Sequence, residues 1–203
     1  MTARLVVVTA GLAVPSSTRL LADRLADATF DALGEAEIEV VELRPLAHAL
    51  ADHMLTGFAS GELAEALATV AAAEGLIVVT PVYAASYSGL FKSFFDVLEP
   101  GSVDGTPVLL AATAGTARHS LVLEHALRPL FAYLRAVPVP TGVFAATDDF
   151  GTDADLGGRI DRAAGELAAL MGKVDPTARQ RRTTGDEVAD PTPFEELLRR
   201  ASG

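Results

Sequence analysis

The sequence predicts an α/β fold in which helices cover both faces of a doubly wound, five-stranded parallel sheet. Apolar, strand-like runs alternate with segments whose apolar residues recur at helical spacing, in the order βαβαβαβαβα. This alternation is typical of a parallel sheet, because each strand is joined to the next by a helix that crosses one face. Differences in polarity among the strands indicate their order.

Both halves of the chain contribute to this pattern. Residues 5–9 (LVVVT) are almost entirely apolar, and residues 18–33 place leucines and alanines on one helical face. Residues 37–43 (EIEVVEL) alternate charged and apolar side chains, as a strand with one covered face does. The later strands are predicted at 76–80, 108–113 and 137–145, and the later helices at 61–73, 89–98, 120–134 and 155–171.

The strand sequences favour the order 2-1-3-4-5. Strands one, three and four are continuously apolar and suit the sheet interior, which is buried on both faces. Strand two is charged on one face and strand five contains Pro138 and Pro140, so both suit an edge. The chain then reverses between strands one and three, and ligands bind outside the carboxyl ends of strands at such a point. The loops after strands one, three and four therefore form the candidate site.

Composition excludes several classes of function. The net charge of −11, from 27 acidic and 16 basic residues, disfavours binding to nucleic acid. The chain has no cysteine, and its histidines lack the HExxH spacing, so we expect neither thiol chemistry nor a metal site. No apolar run approaches the roughly 20 residues of a membrane span, and no secretory signal is recognised, so we expect no membrane association and a cytoplasmic location.

The chain length suits one α/β core, since half of its 203 residues are hydrophobic. We expect one domain over residues 1–173 and a polar tail over 174–203 that ends in a short helix. The basic cluster ARQRR lies in this tail near an acidic stretch, and we interpret it as a solvated segment.

The first loop joins strand one to the first helix and carries Ser16, Ser17, Thr18 and Arg19. A helix that begins near Thr18 presents unpaired N–H groups, and the hydroxyls and the guanidinium add donors that suit a phosphate. Serine and threonine are also preferred N-caps, so ordinary helix capping is the alternative. The absence of Walker and GxGxxG motifs favours one terminal monophosphate.

The second loop lies in TPVYAASYSGLFKSFFD, residues 80–96. We expect Pro81 to end strand three. Tyr83 and Tyr87 offer flat, partly polar surfaces, and Ser86 adds a donor. The chain has three tyrosines and no tryptophan, so two tyrosines in one loop favour an aromatic ligand, with loop packing as the alternative.

The third loop follows strand four and consists of the small residues Thr113, Ala114, Gly115 and Thr116. Its backbone N–H groups can bind carbonyl oxygens, and Gly115 lets the backbone approach a ring edge, although a plain tight turn has the same composition. Together the three loops suit the phosphate, the ring face and the pyrimidine edge of flavin mononucleotide (FMN).

At these residues the sequence resembles the NADPH-dependent FMN reductase family of flavodoxin-like proteins. The similarity covers residues 4–171 and rests on the first loop, on PVYAASYSGLFKSFFD and on TAGTARHSLVLEHALRPLFAYL. The last stretch is most similar to reductases that supply two-component monooxygenases. The resemblance implies FMN, a hydride from NADPH or NADH, and a homodimer or homotetramer.

The resemblance also implies a set of flavin-binding residues. The first loop, GLAVPSSTR, departs from the family because it lacks the Gly-Ser pair that many members carry directly after strand one. The phosphate contacts would be Ser16, Ser17, Thr18 and Arg19, the ring and ribityl contacts Pro81, Val82, Tyr83 and Ser86, and the pyrimidine contacts Thr113, Ala114, Gly115 and Thr116.

The fourth helix carries two histidines of interest. His119, at its start beside the third loop, is a candidate for the nicotinamide pocket, with an exposed surface residue as the alternative. Pro129 has no N–H and leaves the carbonyl of His125 without its helical bond, so we expect a kink or a wide turn there. Arg118 and Arg128 are candidates for the 2′-phosphate of NADPH.

The predicted activity is hydride transfer from a nicotinamide nucleotide to FMN, followed by release of reduced FMN to a two-component monooxygenase. This reaction needs stacked rings rather than an acid–base residue, so no catalytic side chain is assigned. An FMN-containing quinone or azo reductase and a non-catalytic flavodoxin-type carrier are the alternatives. We expect a homo-oligomer, because the helix at 89–98 has more large apolar residues than one core face needs.

Overall fold

The computed structural model has the predicted α/β architecture, and it describes residues 2–151 and 153–172. The predicted tail over 174–203 lies outside the described residues. The strands are β1 (Ala3–Thr9), β2 (Ala36–Glu42), β3 (Gly75–Tyr83), β4 (Ser86–Tyr87), β5 (Pro107–Ala114), β6 (Val137–Pro138) and β7 (Val143–Ala146).

The sheet order confirms the prediction. The parallel strands follow the order β2-β1-β3-β5, and β6 and β7 both pair with the outer edge of β5. Because β6 and β7 are the two halves of the fifth predicted strand, this is the order 2-1-3-4-5, which is the flavodoxin-like order.

Six α-helices are found in the described part of the chain, five of them between strands and the sixth after the last strand. One of them, α2, was not predicted from the sequence. The helices are α1 (Ser17–Leu33), α2 (Ala47–Thr56), α3 (Gly61–Ala71), α4 (Gly89–Asp96), α5 (Arg128–Tyr133) and α6 (Asp153–Met171), with short 3-10 turns at Ala117–His119 and Thr147–Phe150.

Apolar layers cover both faces of the sheet. On one face, side chains such as Val8 and Val78 pack with Phe91 and Phe95 of α4. On the other face, residues such as Val7 of β1 pack in a second cluster with leucines of α1 and α6. The central strands β1, β3 and β5 are buried along most of their length, whereas β2 is largely half-buried, as its alternating sequence predicts.

The prolines interrupt the fifth predicted strand and split it into β6 and β7. Polar side chains hold the backbone between the two pieces. Arg128 donates to the carbonyls of Val139 and Pro140, at 3.1 Å each. The carboxylate of Glu166 accepts from the N–H of Thr141 at 2.7 Å and from its hydroxyl at 2.8 Å. This segment therefore has a defined path although it lacks strand pairing.

The fourth predicted helix is irregular where Pro129 led us to expect it. Residues Leu123–Leu127 form a π-helical turn, and the N–H of Arg128 bonds the carbonyl of Leu123, five residues earlier. Pro129 follows as the second residue of α5. The prediction of a wide turn near His125 is confirmed.

The prediction that Pro81 ends strand three is wrong. Strand β3 continues to Tyr83 and turns back into β4, with Tyr83 paired to Ser86 in an antiparallel hairpin. The two residues of the turn, Ala84 and Ala85, have φ values of 48° and 65°. Two positive φ values in a two-residue loop are typical of a type I′ turn, which normally carries asparagine or glycine. The alanines therefore place backbone strain in the second loop.

We predict that Ala85→Gly stabilises the protein by roughly 0.5 to 1 kcal/mol. Glycine removes the Cβ clash of the left-handed conformation, which costs about 1 to 2 kcal/mol. Part of this gain is lost because glycine gives the unfolded chain more conformational entropy. The measurement is the free energy of unfolding in urea. Ala68→Gly, on an exposed position of α3, is the matched control and should destabilise by about 1 kcal/mol. Equal destabilisation by both changes would show that the turn is unstrained.

Candidate functional site

A cavity of about 230 Å³ opens where the loops after β1, β3, β5 and β7 meet. Typical pockets for small ligands measure roughly 300 to 1,000 Å³, so this one is somewhat smaller than usual. Among the residues that the structure describes, no charged side chain lines the cavity. The lining residues are Leu12, Ala13, Pro15, Ser16, Ser17, Thr18, Pro81, Val82, Tyr83, Thr113, Ala114, Gly115 and Thr147.

Parallel pairing explains why distant residues share this cavity. Thr9, the last residue of β1, lies opposite Val79 of β3, and Pro81 of β3 lies opposite Thr113 of β5. The three strands therefore end at one edge of the sheet, and their loops converge. Nine of the thirteen cofactor-binding residues predicted from the sequence line the cavity: Ser16, Ser17, Thr18, Pro81, Val82, Tyr83, Thr113, Ala114 and Gly115.

Ser16 is the N-cap of α1. Its backbone is extended, with φ −121° and ψ 120°, and its Oγ accepts a hydrogen bond of 3.2 Å from the N–H of Arg19. Ser16 therefore caps the helix, and its contact with a phosphate stays a prediction. Capping uses a lone pair of the oxygen, so the hydroxyl hydrogen of Ser16 remains available to a ligand.

The first turn of α1 also presents backbone donors. Within the described ranges, no acceptor is found for the N–H groups of Ser17 and Thr18. These groups carry the partial positive charge of a helix N-terminus and are adjacent to three hydroxyl side chains. The arrangement suits an anionic oxygen.

The close folding of the first loop depends on Gly11. A Cβ atom at this position would collide with Oγ of Ser16 and would lie 3.3 Å from Cβ of Thr18. A side chain at position 11 would displace the Ser16 hydroxyl from its capping position and press on Thr18, so glycine suits this close approach to the start of α1.

Thr18 and Thr113 connect the first loop to the third. Their hydroxyl oxygens are 2.8 Å apart, and each residue is only 3% exposed. The contact joins the first turn of α1 to the end of β5, across 95 positions of sequence.

Arg19 does not line the cavity. Its Nε donates to Asp23 at 2.7 Å, and its Nη1 is paired with Glu42 at the end of β2. The hydrogen bond to Asp23 and the nearby charge of Glu42 raise the pKa of Arg19. A phosphate contact by Arg19 stays a prediction, and it requires the guanidinium to leave these carboxylates.

The second loop is anchored by Thr80, which is fully buried. Its hydroxyl accepts from the N–H of Ser88 at 3.0 Å and donates to the carbonyl of Pro81 at 3.0 Å. Ser88 in turn caps α4 by accepting from the N–H of Phe91 at 3.2 Å. These bonds hold the hairpin in place, with Tyr83 half-exposed beside the cavity.

Three other predicted residues lie outside the cavity. Thr116 and His119 are exposed. Ser86 borders a separate groove of about 1060 Å³ between α4 and α5, together with His125 and Tyr133. The roles of these residues stay predictions.

Four lining residues were not predicted from the sequence: Leu12, Ala13, Pro15 and Thr147. Leu12, Ala13 and Pro15 precede the hydroxyl cluster and carry no polar side chain. Thr147 follows β7, which pairs with β5. In the predicted order, strand five lies beside strand four, so the loop after strand five also reaches this edge of the sheet. The prediction included only the loops after strands one, three and four.

The two arginines considered for a 2′-phosphate differ in their surroundings. Arg128 donates to both carboxylate oxygens of Glu124, at 2.7 and 3.0 Å, which raises the pKa of Arg128. It is therefore tied to its own helix and to the segment before β7. Arg118, in the 3-10 turn after the third loop, is exposed.

Two other kinds of site are absent from the described residues. No helix in that part of the chain combines the length and the hydropathy of a membrane span. No group of three or more histidine, aspartate or glutamate residues there is arranged to hold a metal ion.

Comparisons with known proteins agree with this geometry. The sequence profile of the NADPH-dependent FMN reductase family matches residues 3–151. An FMN reductase (NADPH) from Pseudomonas aeruginosa is 39% identical over 176 residues, which cover 83% of this chain and 92% of that protein. The NADH-dependent FMN reductase SfnF of Pseudomonas putida is 40% identical over 147 residues, which cover 72% of this chain and 79% of that protein.

A solved structure shows the same architecture. The X-ray structure of an oxidoreductase from Corynebacterium diphtheriae aligns with a TM-score of 0.83 at 48% identity, and covers 86% of this chain and 99% of that one. The family profile spans most of the chain and includes all three loops of the cavity. This protein therefore belongs to the NADPH-dependent FMN reductase family.

Proposed function

We propose that this protein transfers a hydride from a nicotinamide nucleotide to FMN and releases reduced FMN to a two-component monooxygenase. Family membership supports the reductase activity. The observation that carries the proposal is the uncharged, hydroxyl-lined cavity at the meeting point of the first, second and third loops.

The first loop fits the phosphate of FMN. The side chains of Ser16, Ser17 and Thr18 line the cavity beside the start of α1, and the N–H groups of Ser17 and Thr18 lack acceptors among the described residues. Neutral donors and a helix N-terminus can bind a phosphate without a paired cation. Such a cradle suits a ligand that is exchanged in every turnover.

The other loops fit the ring. The backbone from Pro81 to Tyr83 and the residues Ala114 and Gly115 form two sides of the cavity. When bound, flavin supplies the hydride-accepting N5 atom, and the chain has to bind, orient and exclude water. The hairpin can orient the ring, because the hydrogen bonds of Thr80 to Pro81 and Ser88 fix the conformation of the second loop. Backbone donors of the third loop can stabilise negative charge on the pyrimidine edge.

The relatives differ in their nicotinamide nucleotide, since one is named for NADPH and another for NADH. We propose NADPH, with Arg118 as the contact for its 2′-phosphate. This arginine is exposed beside the third loop, whereas Arg128 is bound to Glu124. His119, in the same 3-10 turn, is proposed to line the nicotinamide pocket.

The proposal is tested by following nicotinamide oxidation at 340 nm with added FMN. We expect turnover with free FMN, and reduced FMN that can be recovered in the filtrate under anaerobic conditions. Activity only in the presence of a quinone or an azo dye, with FMN retained on the protein, would favour the alternative reductase. Reduction of bound flavin by dithionite but not by either nucleotide would favour an electron carrier.

Ser16→Ala tests the phosphate cradle. The change removes a hydrogen bond to a charged group, worth about 1.5 to 3 kcal/mol, so FMN should bind about ten- to a hundredfold more weakly. Riboflavin, which has no phosphate, should bind almost as before. Flavin fluorescence titration measures both constants.

Ser60→Ala provides the matched control, because Ser60 precedes α3 and makes no side-chain cap bond. It should change neither flavin constant. Equal losses of FMN and riboflavin affinity in Ser16→Ala would show that Ser16 is only a helix cap.

We further propose a homodimer or homotetramer in the cytoplasm. The support expected from α4 is absent, since Phe91, Phe94 and Phe95 are buried in the chain's own core. Two exposed apolar residues support the proposal: Tyr133, 84% exposed, at the end of α5 and lining the large groove, and Leu121, 63% exposed, in the turn before the π-helical segment.

The assembly is tested by light scattering at micromolar concentration. We expect the mass of a dimer or a tetramer, and a smaller mass for Tyr133→Ser because an apolar contact is removed. Leu55→Ser, which changes another exposed residue on α2, is the control. A monomeric mass for the unaltered protein would end this proposal.

A further inference from the structure

We propose that Thr18 and Thr113 act as one unit, in which Thr113 positions the hydroxyl of Thr18 and so sets the preference of the site for FMN over riboflavin. The inference rests on the proposed function. It concerns which residue touches the phosphate and which acts through another.

The pair is held from both sides. Thr18 lies in the first turn of α1, and Thr113 lies in β5 opposite Pro81 of β3 and Ala145 of β7. Thr113 is therefore fixed by the sheet, whereas the side chain of Thr18 faces the edge of the sheet from a helix. With 2.8 Å between the oxygens, this is a hydrogen bond of normal length for two hydroxyls.

A count of hydrogens shows what the pair can offer. Two hydroxyls carry two hydrogens, and one of these is used between the oxygens. Over residues 2–151 and 153–172, neither hydroxyl makes a second hydrogen bond. Because both residues line the cavity, the remaining hydrogen is the one that the pair presents to a ligand.

The direction of the bond then decides which residue donates to the ligand. If Thr113 donates to Thr18, the hydrogen of Thr18 is left for an oxygen at the start of α1, where the proposed phosphate lies. The opposite direction leaves the hydrogen of Thr113 instead, and removes the donor from the cradle. An anionic oxygen at the start of α1 selects the first direction. The hydrogen bond from Thr113 to Thr18 and the bond from Thr18 to the anion then strengthen each other.

This assignment changes the expected role of Thr113. The resemblance to the family implied a contact with the pyrimidine edge, which its backbone can still make. The side chain of Thr113 is turned to the phosphate cradle and is a positioning group for Thr18. The effect is pronounced because no charged side chain of the described ranges lines the cavity, so each neutral donor carries a larger share of the binding.

Thr113→Val tests the proposal, since valine keeps the volume and removes the hydroxyl. FMN should bind about tenfold more weakly, as expected for a lost hydrogen bond that orients a donor to a charged group, and riboflavin should be unaffected. Thr113→Ser keeps the hydroxyl and should bind FMN as tightly as the unaltered protein does. Flavin fluorescence titration without any nicotinamide nucleotide gives the constants, and thermal unfolding reports on stability.

The double variant Thr18→Val/Thr113→Val decides whether the two residues act together. We expect it to bind FMN no more weakly than Thr18→Val alone, because Thr113 acts only through Thr18. Thr113→Val leaves the hydroxyl of Thr18 without its partner, whereas the double variant leaves no hydroxyl unpaired. If Thr113→Val does not fold, the affinities for FMN and riboflavin are therefore compared in the double variant.

Two results would overturn the inference. Equal losses for FMN and riboflavin in Thr113→Val would assign Thr113 a purely structural role. Additive losses in the double variant would show that each threonine contacts the ligand separately. These outcomes are independent of the reductase activity, which is measured on the unaltered protein by nicotinamide oxidation.

Discussion

The parallel pairing of β3 with β1 on one side and with β5 on the other is the constraint on which the site depends. The register ends all three strands at the same edge, so residues as far apart as Thr18 and Thr113, 95 positions in sequence, are brought into contact. The apolar side chains of these strands are buried on both faces, and this burial holds the register. A slip of one residue would turn the buried side chains to the opposite face of the sheet.

Each loop at this edge is held by bonds of its own. The first loop folds closely over Gly11 and is capped by Ser16, the second is tied to Thr80, and the third is joined to the first through Thr113. The polar groups of the site are therefore positioned before any ligand arrives, which lowers the entropy cost of binding. Our expectation that no general acid or base is needed follows from the proposed hydride transfer, which depends on the orientation of two rings rather than on proton transfer.

The sequence predicted the architecture well because the signals were local. Apolar continuity in strands one, three and four and polarity in strands two and five gave the sheet order, and the missing N–H of Pro129 gave the wide turn. The helix α2 was missed because its sequence, AHALADHMLT, has one buried residue, Leu50, and so shows no clear apolar face. The hairpin of β3 and β4 was missed because Pro81 was interpreted by its lack of an N–H alone.

Features set by distant residues could not be predicted in this way. Arg19 pairs with Glu42 across 23 positions, and Thr18 pairs with Thr113 across 95, so neither partner is visible in the local sequence. The contact with Glu42 holds Arg19, the only cation of the first loop, away from the cavity. The contact with Thr113 uses the hydroxyl of Thr18 within the protein, whereas the sequence predicted that this hydroxyl binds the ligand. In this site the residue types of the loops predicted the chemistry, and the tertiary contacts decided which side chains are available for it.

A crystal structure of the protein with FMN bound is the most direct test of the account. The account predicts the phosphate at the start of α1, within hydrogen-bond distance of the hydroxyls of Ser16 and Thr18, and the ring against the backbone from Pro81 to Tyr83. A phosphate held by Arg118, or a flavin in the groove between α4 and α5, would contradict it.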